Sequence, residues 1–317
     1  MPTTTDIIDA APAPPGEAAV APATAPAPKR LSRRRFLRRT LALGAVPAAL
    51  GAYGTLVEPF WVDHHEFEVT IPHLPQAFDG FRIAHLSDMH AGDRDGAPMD
   101  YLTRVVRRID LMKPDCVAVT GDLVNHTGNT VGPVAELLAT IAVPVFVSFG
   151  NHDYAPNTAR PRMWTMLADP LQAALESRGC TVLRNRAVSL AKGDARLWFV
   201  GLEDLYTTRF SPQIAYRGVN PDDPIVALSH NPDSANWLQN WGTKLILSGH
   251  THGGQIRIPF LGAPILPLLN RRFEQGLFPL RNGCQMYVSR GVGFLYQARL
   301  FCRPELPCIV LRAAAGG

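Results

Sequence analysis

The sequence predicts an α/β layered domain, and three observations carry that expectation. From about residue 66, short β-rich apolar runs alternate with longer amphipathic ones, the pattern of strands and helices stacked in layers. Five of the strand-like runs end in an Asp, Asn or His within a few residues, as though their carboxyl ends converge on one rim. The chain is 317 residues long with 46% apolar and 18% charged residues, enough for one large domain with a sizeable core and unlike a disordered chain.

The elements follow in order. Residues 1–28 are rich in Ala, Pro and Thr without an apolar period and read as a disordered extension. Residues 29–58 hold a basic stretch, Ser32-Arg33-Arg34-Arg35-Phe36-Leu37-Arg38, and an uncharged one from Thr40 to Val57. This order of residues resembles a twin-arginine export signal: a polar residue, two arginines, any residue, Phe-Leu, a basic residue, then an apolar run. The run is about long enough to span a bilayer, so residues 40–57 are expected to serve as a cleaved signal or a membrane anchor. One large domain is placed at 66–313. Its expected strands are Phe81–Leu86, Cys116–Thr120, Val143–Phe149, Leu197–Val200, Ile225–Leu228, Leu245–Leu247, Met286–Val288 and Ile309–Leu311. Helices are expected over Met99–Met112, Val134–Ile141, Met163–Arg178 and Ser234–Trp241, the last with Ser234 as N-cap.

Charge and cysteines exclude some classes. Residues 1–39 carry seven Lys or Arg against three acids, and the remainder carries 24 of each sign. The body is formally neutral, which argues against a nucleic-acid partner. The five cysteines form no C-x-x-C pair, so a thiolate zinc site and a disulfide framework are not expected; buried free thiols are.

The chemistry sits just past the strands. The runs are followed in turn by Asp88-Met89-His90, Gly121-Asp122, Gly150-Asn151-His152-Asp153, His230, and Gly249-His250-Thr251-His252. Two-residue spacing puts Asp88 with His90, and His250 with His252, on one face of an extended segment. The glycines Gly121, Gly150 and Gly249 are expected where the chain turns sharply beside a ligand. Each motif alone is weak; their joint order is the signal.

This set, D-x-H, G-D, G-N-H-[D/E], His and G-H-x-H between Phe81 and Ile258, resembles the calcineurin-like metallophosphoesterases. The segments His230-Asn231-Pro232-Asp233, Gly249–Gln255 and Ser289-Arg290-Gly291 resemble its bacterial exported and membrane-linked branch, some members of which cleave a UDP-diacylglucosamine pyrophosphate. The resemblance implies a β-sandwich of two mixed sheets flanked by helices. It implies one metal held by Asp88, His90 and His252, a second held by Asn151, His230 and His250, and Asp122 bridging both. His152 is then a substrate-facing general acid, Asp153 orients its imidazole, and Arg290 binds substrate. Nitrogen and oxygen donors suit two divalent ions, Mn or Fe favoured, Zn or Mg also compatible. Such a pair lowers the pKa of a bridging water for attack on phosphorus.

The expected activity is hydrolysis of a phosphoester or pyrophosphate on a small-molecule, cell-envelope or lipid-linked substrate. The expected location is the outer face of the cytoplasmic membrane, the periplasm or the cell wall, reached through the twin-arginine machinery. A non-catalytic metal-binding scaffold of the same fold is the alternative. The apolar stretch Phe260–Leu269 is expected to be a buried loop of the core rather than a lipid-facing lip.

Overall fold

The computed structural model describes residues 33–92, 96–125, 128–154 and 166–314. The chain divides into two compact units, Met1–Val46 and Pro47–Gly317. The extension expected over 1–28 lies outside the described residues. Helix α1 (Arg33–Leu56) covers most of the expected signal segment and contains Pro47. Among the described residues no helix is long and apolar enough to cross a membrane.

The larger unit is a sandwich of two six-stranded mixed sheets. The first has the order β1-β12-β2-β3-β4-β5, built from β1 (Asp63–Ile71), β2 (Arg82–Leu86), β3 (Cys116–Thr120), β4 (Val145–Ser148), β5 (Thr181–Val182) and β12 (Glu305–Ala313). The second runs β10-β11-β9-β8-β7-β6, from β6 (Arg186–Lys192), β7 (Ala195–Gly201), β8 (Ile225–Leu228), β9 (Leu245–Ser248), β10 (Gly276–Pro279) and β11 (Gln285–Val288). Strands β2 to β5 are parallel, as are β7, β8, β9 and β11, so in each sheet several carboxyl ends point the same way.

The alternation of side chains within each strand explains three layers of core. Ile83, Cys116, Ala118 and Phe146 of the first sheet meet Leu197, Phe199, Val226, Leu228 and Leu247 of the second between the sheets. The intervening residues Val117, Val119, Val145 and Val147 face outward and are covered by α2 (Met99–Val106), α3 (Val131–Leu138) and α4 (Ala168–Glu176). Val200, Ile225, Ala227, Ile246 and Met286 face the other way, under α5 (Pro212–Ala215) and α6 (Ala235–Leu238). Strands covered on both faces are apolar throughout, which is why they read as continuous runs.

Several helical expectations are corrected. The Met99–Met112 helix ends at Val106, and Ile109–Met112 is a separate 3-10 turn. The expected Ser234–Trp241 helix is a 3-10 turn at Pro232–Ser234 followed by the short α6. Ser234 does not cap it; Asn231 caps the turn by accepting from the Asp233 N–H, and Ser234 Oγ instead accepts from Ser229 Oγ at 2.8 Å. Strand β1 opens at Asp63, ahead of the boundary expected at residue 66. All five cysteines are buried and unpaired, as expected.

Candidate metal centre

The parallel strands deliver the motif residues to one place. Past β2 come Asp88 and His90, past β3 Asp122, past β4 Asn151 and His152, past β8 His230, and past β9 His250 and His252. Three sets lie close enough for each to hold an ion: Asp88 with His90 and His252, His90 with Asp122 and His152, and Asp122 with His230 and His250. His90 Nε2 faces His252 Nε2 at 3.0 Å, and His250 Nδ1 faces His230 Nε2 at 3.1 Å. Ligands about 2.1 Å from one cation, at right angles, are separated by about 3 Å, so these pairs have the spacing of neighbours in one coordination shell.

Asp122 joins the two halves. Its Oδ2 lies 3.1 Å from His230 Nε2 and 3.4 Å from His90 Nε2. Its Oδ1 accepts the backbone N–H of His152 at 2.9 Å.

Neighbouring groups fix which imidazole nitrogen faces inward. His230 donates Nδ1–H to the Thr120 carbonyl at 2.7 Å, which turns Nε2 toward Asp122. His250 donates Nε2–H to the Pro267 carbonyl at 3.1 Å, leaving Nδ1 as acceptor. A ligand whose tautomer is set from behind loses little entropy on coordination.

The electrostatics ask for positive charge. Asp88 and Asp122 are buried carboxylates in one pocket. Burial, with the charge of Asp122 adding, pushes Asp88 up to about 6. Burial works the same way on Asp122, but His230, His152 and His90 outweigh it and hold it well below the usual range. Burial opposes a proton on His230, yet Asp122 and Asp88 raise it to about 10. Burial and the nearby His230 push His250 down to about 3, and burial with His90 drives His252 well below its ordinary value. Asp88 Oδ2 and Asn151 Oδ1 are buried acceptors with no hydrogen-bond partner. Buried acceptors of this kind cost roughly 1–3 kcal/mol each unless something satisfies them. Two carboxylates, an amide oxygen and inward-facing imidazoles fit divalent cations.

The backbone corrects one inference from spacing. Asp88, His90, Asp122, His250 and His252 all have positive φ, from 43° to 71°, so the paired residues do not lie in extended segments. Side chains rarely adopt this region, and each instance costs on the order of 1 kcal/mol. Gly121 turns in the left-handed region at φ 84°, as expected, whereas Gly150 and Gly249 act through size. A Cβ on Gly249 would sit 2.2 Å from Asp88 Oδ2, and one on Gly150 would sit 2.3 Å from Asp122 Oδ1.

Two of the residues given roles from the sequence are held by other partners. Asp153 is fully buried, and its oxygens accept the backbone N–H groups of Leu123 (2.8 Å), Val124 (3.2 Å) and Gly150 (2.9 Å). It ties the loop after β3 to the loop after β4. Burial, with Asp122 adding, raises it to about 8. Arg290 stands outside the three ligand sets: its guanidinium pairs with Glu305 at 2.6 Å and Asp63 at 2.8 Å. Within the same motif, Gly291 packs against Asp88, where a Cβ would meet the Asp88 Cβ at 2.6 Å. His152 remains beside the centre, its ring edge-on to His90 with centroids 4.8 Å apart.

Three groups near the centre were given no role in the sequence reading. Asp204, just past β7, is buried, has an unpartnered Oδ2, and is pushed up to about 6 by burial, with His230 opposing. Its position past a strand end was the available signal. Asn231 is buried beside His230. Arg299 is fully buried and donates to the carbonyls of Arg290, Gly293 and Cys302, holding the segment that covers Asp88. Nothing local in the sequence marks it.

The family model for the calcineurin-like phosphoesterases matches residues 81–254, the span that holds all seven ligand candidates. The chain belongs to the calcineurin-like phosphoesterases. It is 33% identical to the phosphodiesterase YaeI of Escherichia coli over 89% of this chain and 99% of that protein. It is 30% identical to the uncharacterized metallophosphoesterase YkuE of Bacillus subtilis over 90% of this chain and 99% of that one. With the UDP-2,3-diacylglucosamine pyrophosphatase LpxG of Chlamydia trachomatis it shares 28% identity over 75% of this chain and 86% of its relative. This calcineurin-like enzyme is thus a metallophosphoesterase, with phosphodiesterases and pyrophosphatases among its relatives.

Proposed function

We propose that the enzyme cleaves a phosphodiester or pyrophosphate bond, on a cell-envelope or lipid-linked substrate, with two divalent cations held as the resemblance implies. The observation that carries the two-cation reading is Asp122, whose single Oδ2 lies between His90 and His230. Asp88, His90 and His252 would hold one ion, Asn151, His230 and His250 the other, with Asp122 shared. The donors, none of which is sulfur, suit Mn, Fe, Zn or Mg, and filling of the site in the cytoplasm before folded export favours Mn or Fe. Such ions withdraw electron density from a phosphate and from an attacking water.

The chain's own residues do the rest. The Asp122 carboxylate receives the His152 N–H and so places that imidazole at the rim of the centre. His152 then supplies a proton to the leaving oxygen. Thr120 and Pro267 hold His230 and His250 in one tautomer throughout, so no imidazole of the pair must reorganise. The diester and pyrophosphate preference follows the named activities of YaeI and LpxG.

A screen of metal-loaded enzyme tests this reading. Aryl phosphodiesters and nucleotide-linked glycolipid pyrophosphates are expected to turn over at least about tenfold faster than aryl monoesters, a margin of about 1.4 kcal/mol in transition-state binding. A preference for monoesters would overturn it.

Export through the twin-arginine pathway belongs to the same proposal, since Arg33 and Arg34 open α1 in the order such a signal has. Replacing both by Lys should leave the protein in the cytoplasm, because the export carrier reads the arginine pair. Unchanged fractionation of the double variant would count against that route.

A further inference from the structure

The stretch expected to be a buried loop is exposed at most of its large side chains instead, with Ala263 buried and Leu268 packed against the core. Phe260 is fully exposed, and Leu261, Ile265 and Leu269 are 80%, 78% and 90% exposed. Four large apolar side chains this close together are more than the single exposed residues any surface carries.

The loop is held out by its own bonds. Ile258 and Gly262 exchange backbone hydrogen bonds at 2.9 and 3.0 Å and close the tip. Arg271 donates to the Ala263 carbonyl at 2.8 Å. The Asp233 carboxylate accepts the N–H groups of Leu269 and Asn270 at 2.8 and 3.1 Å and anchors the stem. Between tip and stem, the Pro267 carbonyl takes hydrogen bonds from Tyr206 and from the candidate ligand His250. The apolar loop is therefore joined directly to the metal centre.

The apolar face continues beyond the loop. Phe301, 53% exposed, borders the same hollow as Ile258 and Phe260. The backbone of Leu300 pairs with Gln255 and Arg257, and the Arg299 N–H donates to the Gly54 carbonyl near the end of α1, where Leu56 is 68% exposed. Charge along this face is net positive. Residues 256–274 contain three arginines and one acid, Glu274, which pairs with Arg257 at 2.8 Å. Arg271 and Arg272, both exposed, are left as positive charge beside Leu269.

We propose that this face docks the enzyme on an anionic lipid bilayer. Phe260, Leu261, Ile265 and Leu269 enter the boundary between headgroups and acyl chains, and Arg271 and Arg272 meet the lipid phosphates. Docking rests on these residues alone; its use, feeding a lipid-linked phosphate sideways to His250 and its neighbours, rests on the substrate proposed above.

The test reads the loop without turnover. Phe260→Cys in the full-length, metal-loaded protein is labelled with a nitrobenzoxadiazole dye; the native cysteines are all buried, so the new thiol is the reactive one. Leu111→Cys is the control, 80% exposed and just ahead of β3, at the rim opposite the metal centre. With vesicles containing phosphatidylglycerol, the label at 260 should shift to the blue and brighten, and the label at 111 should not respond. Adding Arg271→Glu and Arg272→Glu should weaken the response to those vesicles by roughly tenfold or more. No shift at 260, even if the protein binds vesicles through another segment, overturns the proposal. An equal shift at both labels shows general adsorption and overturns it as well. Because no substrate is used, failure of the substrate screen leaves this result standing, and the reverse also holds.

Discussion

Asp122→Ala is expected to lose both metal ions and to lower kcat/KM on the order of 10⁴-fold or more. The reason is geometric: Asp122 is the group that touches both ligand halves, through His230 at 3.1 Å and His90 at 3.4 Å. A 10⁴-fold loss corresponds to about 5.5 kcal/mol of transition-state stabilisation, within what two cations supply to phosphoryl transfer. The substitution also removes the acceptor for the His152 N–H and the anion that raises His230. Breaking a buried charge pair this way costs roughly 3–5 kcal/mol, so the variant should also unfold at lower urea. Asp122→Asn separates charge from shape: it keeps an oxygen donor and should retain part of the metal. Elemental analysis of the wild type and both variants is the measurement. Wild-type protein purified from its own cells should carry manganese or iron. Stoichiometric zinc without either would sink that choice of metals, and an Asp122→Ala protein retaining two ions would sink the bridging role.

The legibility of the fold depended on where each strand lies. The eight strands expected from the sequence all exist, and they are the interior strands of the two sheets. The four that went unread, β1, β5, β6 and β10, are the four edges. An edge strand has one neighbour and wet side chains. Asp63–Ile71 carries His64, His65, Glu66 and Glu68 with a mixed burial pattern, and Arg186–Lys192 has no fully buried residue. Neither gives the continuous apolar run that marks a strand covered on both faces. The convergence of the candidate ligands was legible for a different reason. Parallel strands gather their carboxyl ends, so Asp88, Asp122, Asn151, His230 and His250 come together once the order of strands and turns is known. What sequence spacing does not encode is how a side chain is used. Asp153 next to His152 suggests a partner for its ring, yet backbone amides from two loops claim both oxygens. Arg290 suggests a phosphate clamp, yet Glu305 and Asp63 already hold it. The Phe260 loop reads as core by composition, yet its bonds to Asp233 and within the Ile258–Gly262 turn leave Phe260, Leu261, Ile265 and Leu269 in solvent.

Asn151 and His152 are adjacent in the chain, and their variants are expected to fail in different ways. Asn151 Oδ1 is buried without a hydrogen-bond partner, as a direct ligand should be before its ion is counted. Asn151→Ala removes one donor of the second ion and leaves His230, His250 and Asp122. Metal content should fall, and added metal should restore much of the activity, because the remaining donors still define the position. His152 lies beside the centre, with its backbone N–H on Asp122 and its ring edge-on to His90. His152→Ala should keep both ions and its fold, and should lower the rate by roughly 10²–10⁴, the usual worth of a positioned general acid. That loss should depend on the leaving group. A nitrophenolate departs with little help, so its ester should suffer least; an alkyl ester, whose alkoxide needs the proton, should suffer most. The pH profile gives a second readout: the limb belonging to the acid should vanish in His152→Ala and persist in Asn151→Ala with excess metal. Loss of an ion from His152→Ala would make His152 a ligand. Equal slowing of aryl and alkyl esters would remove the acid role and leave His152 as a residue that only positions substrate.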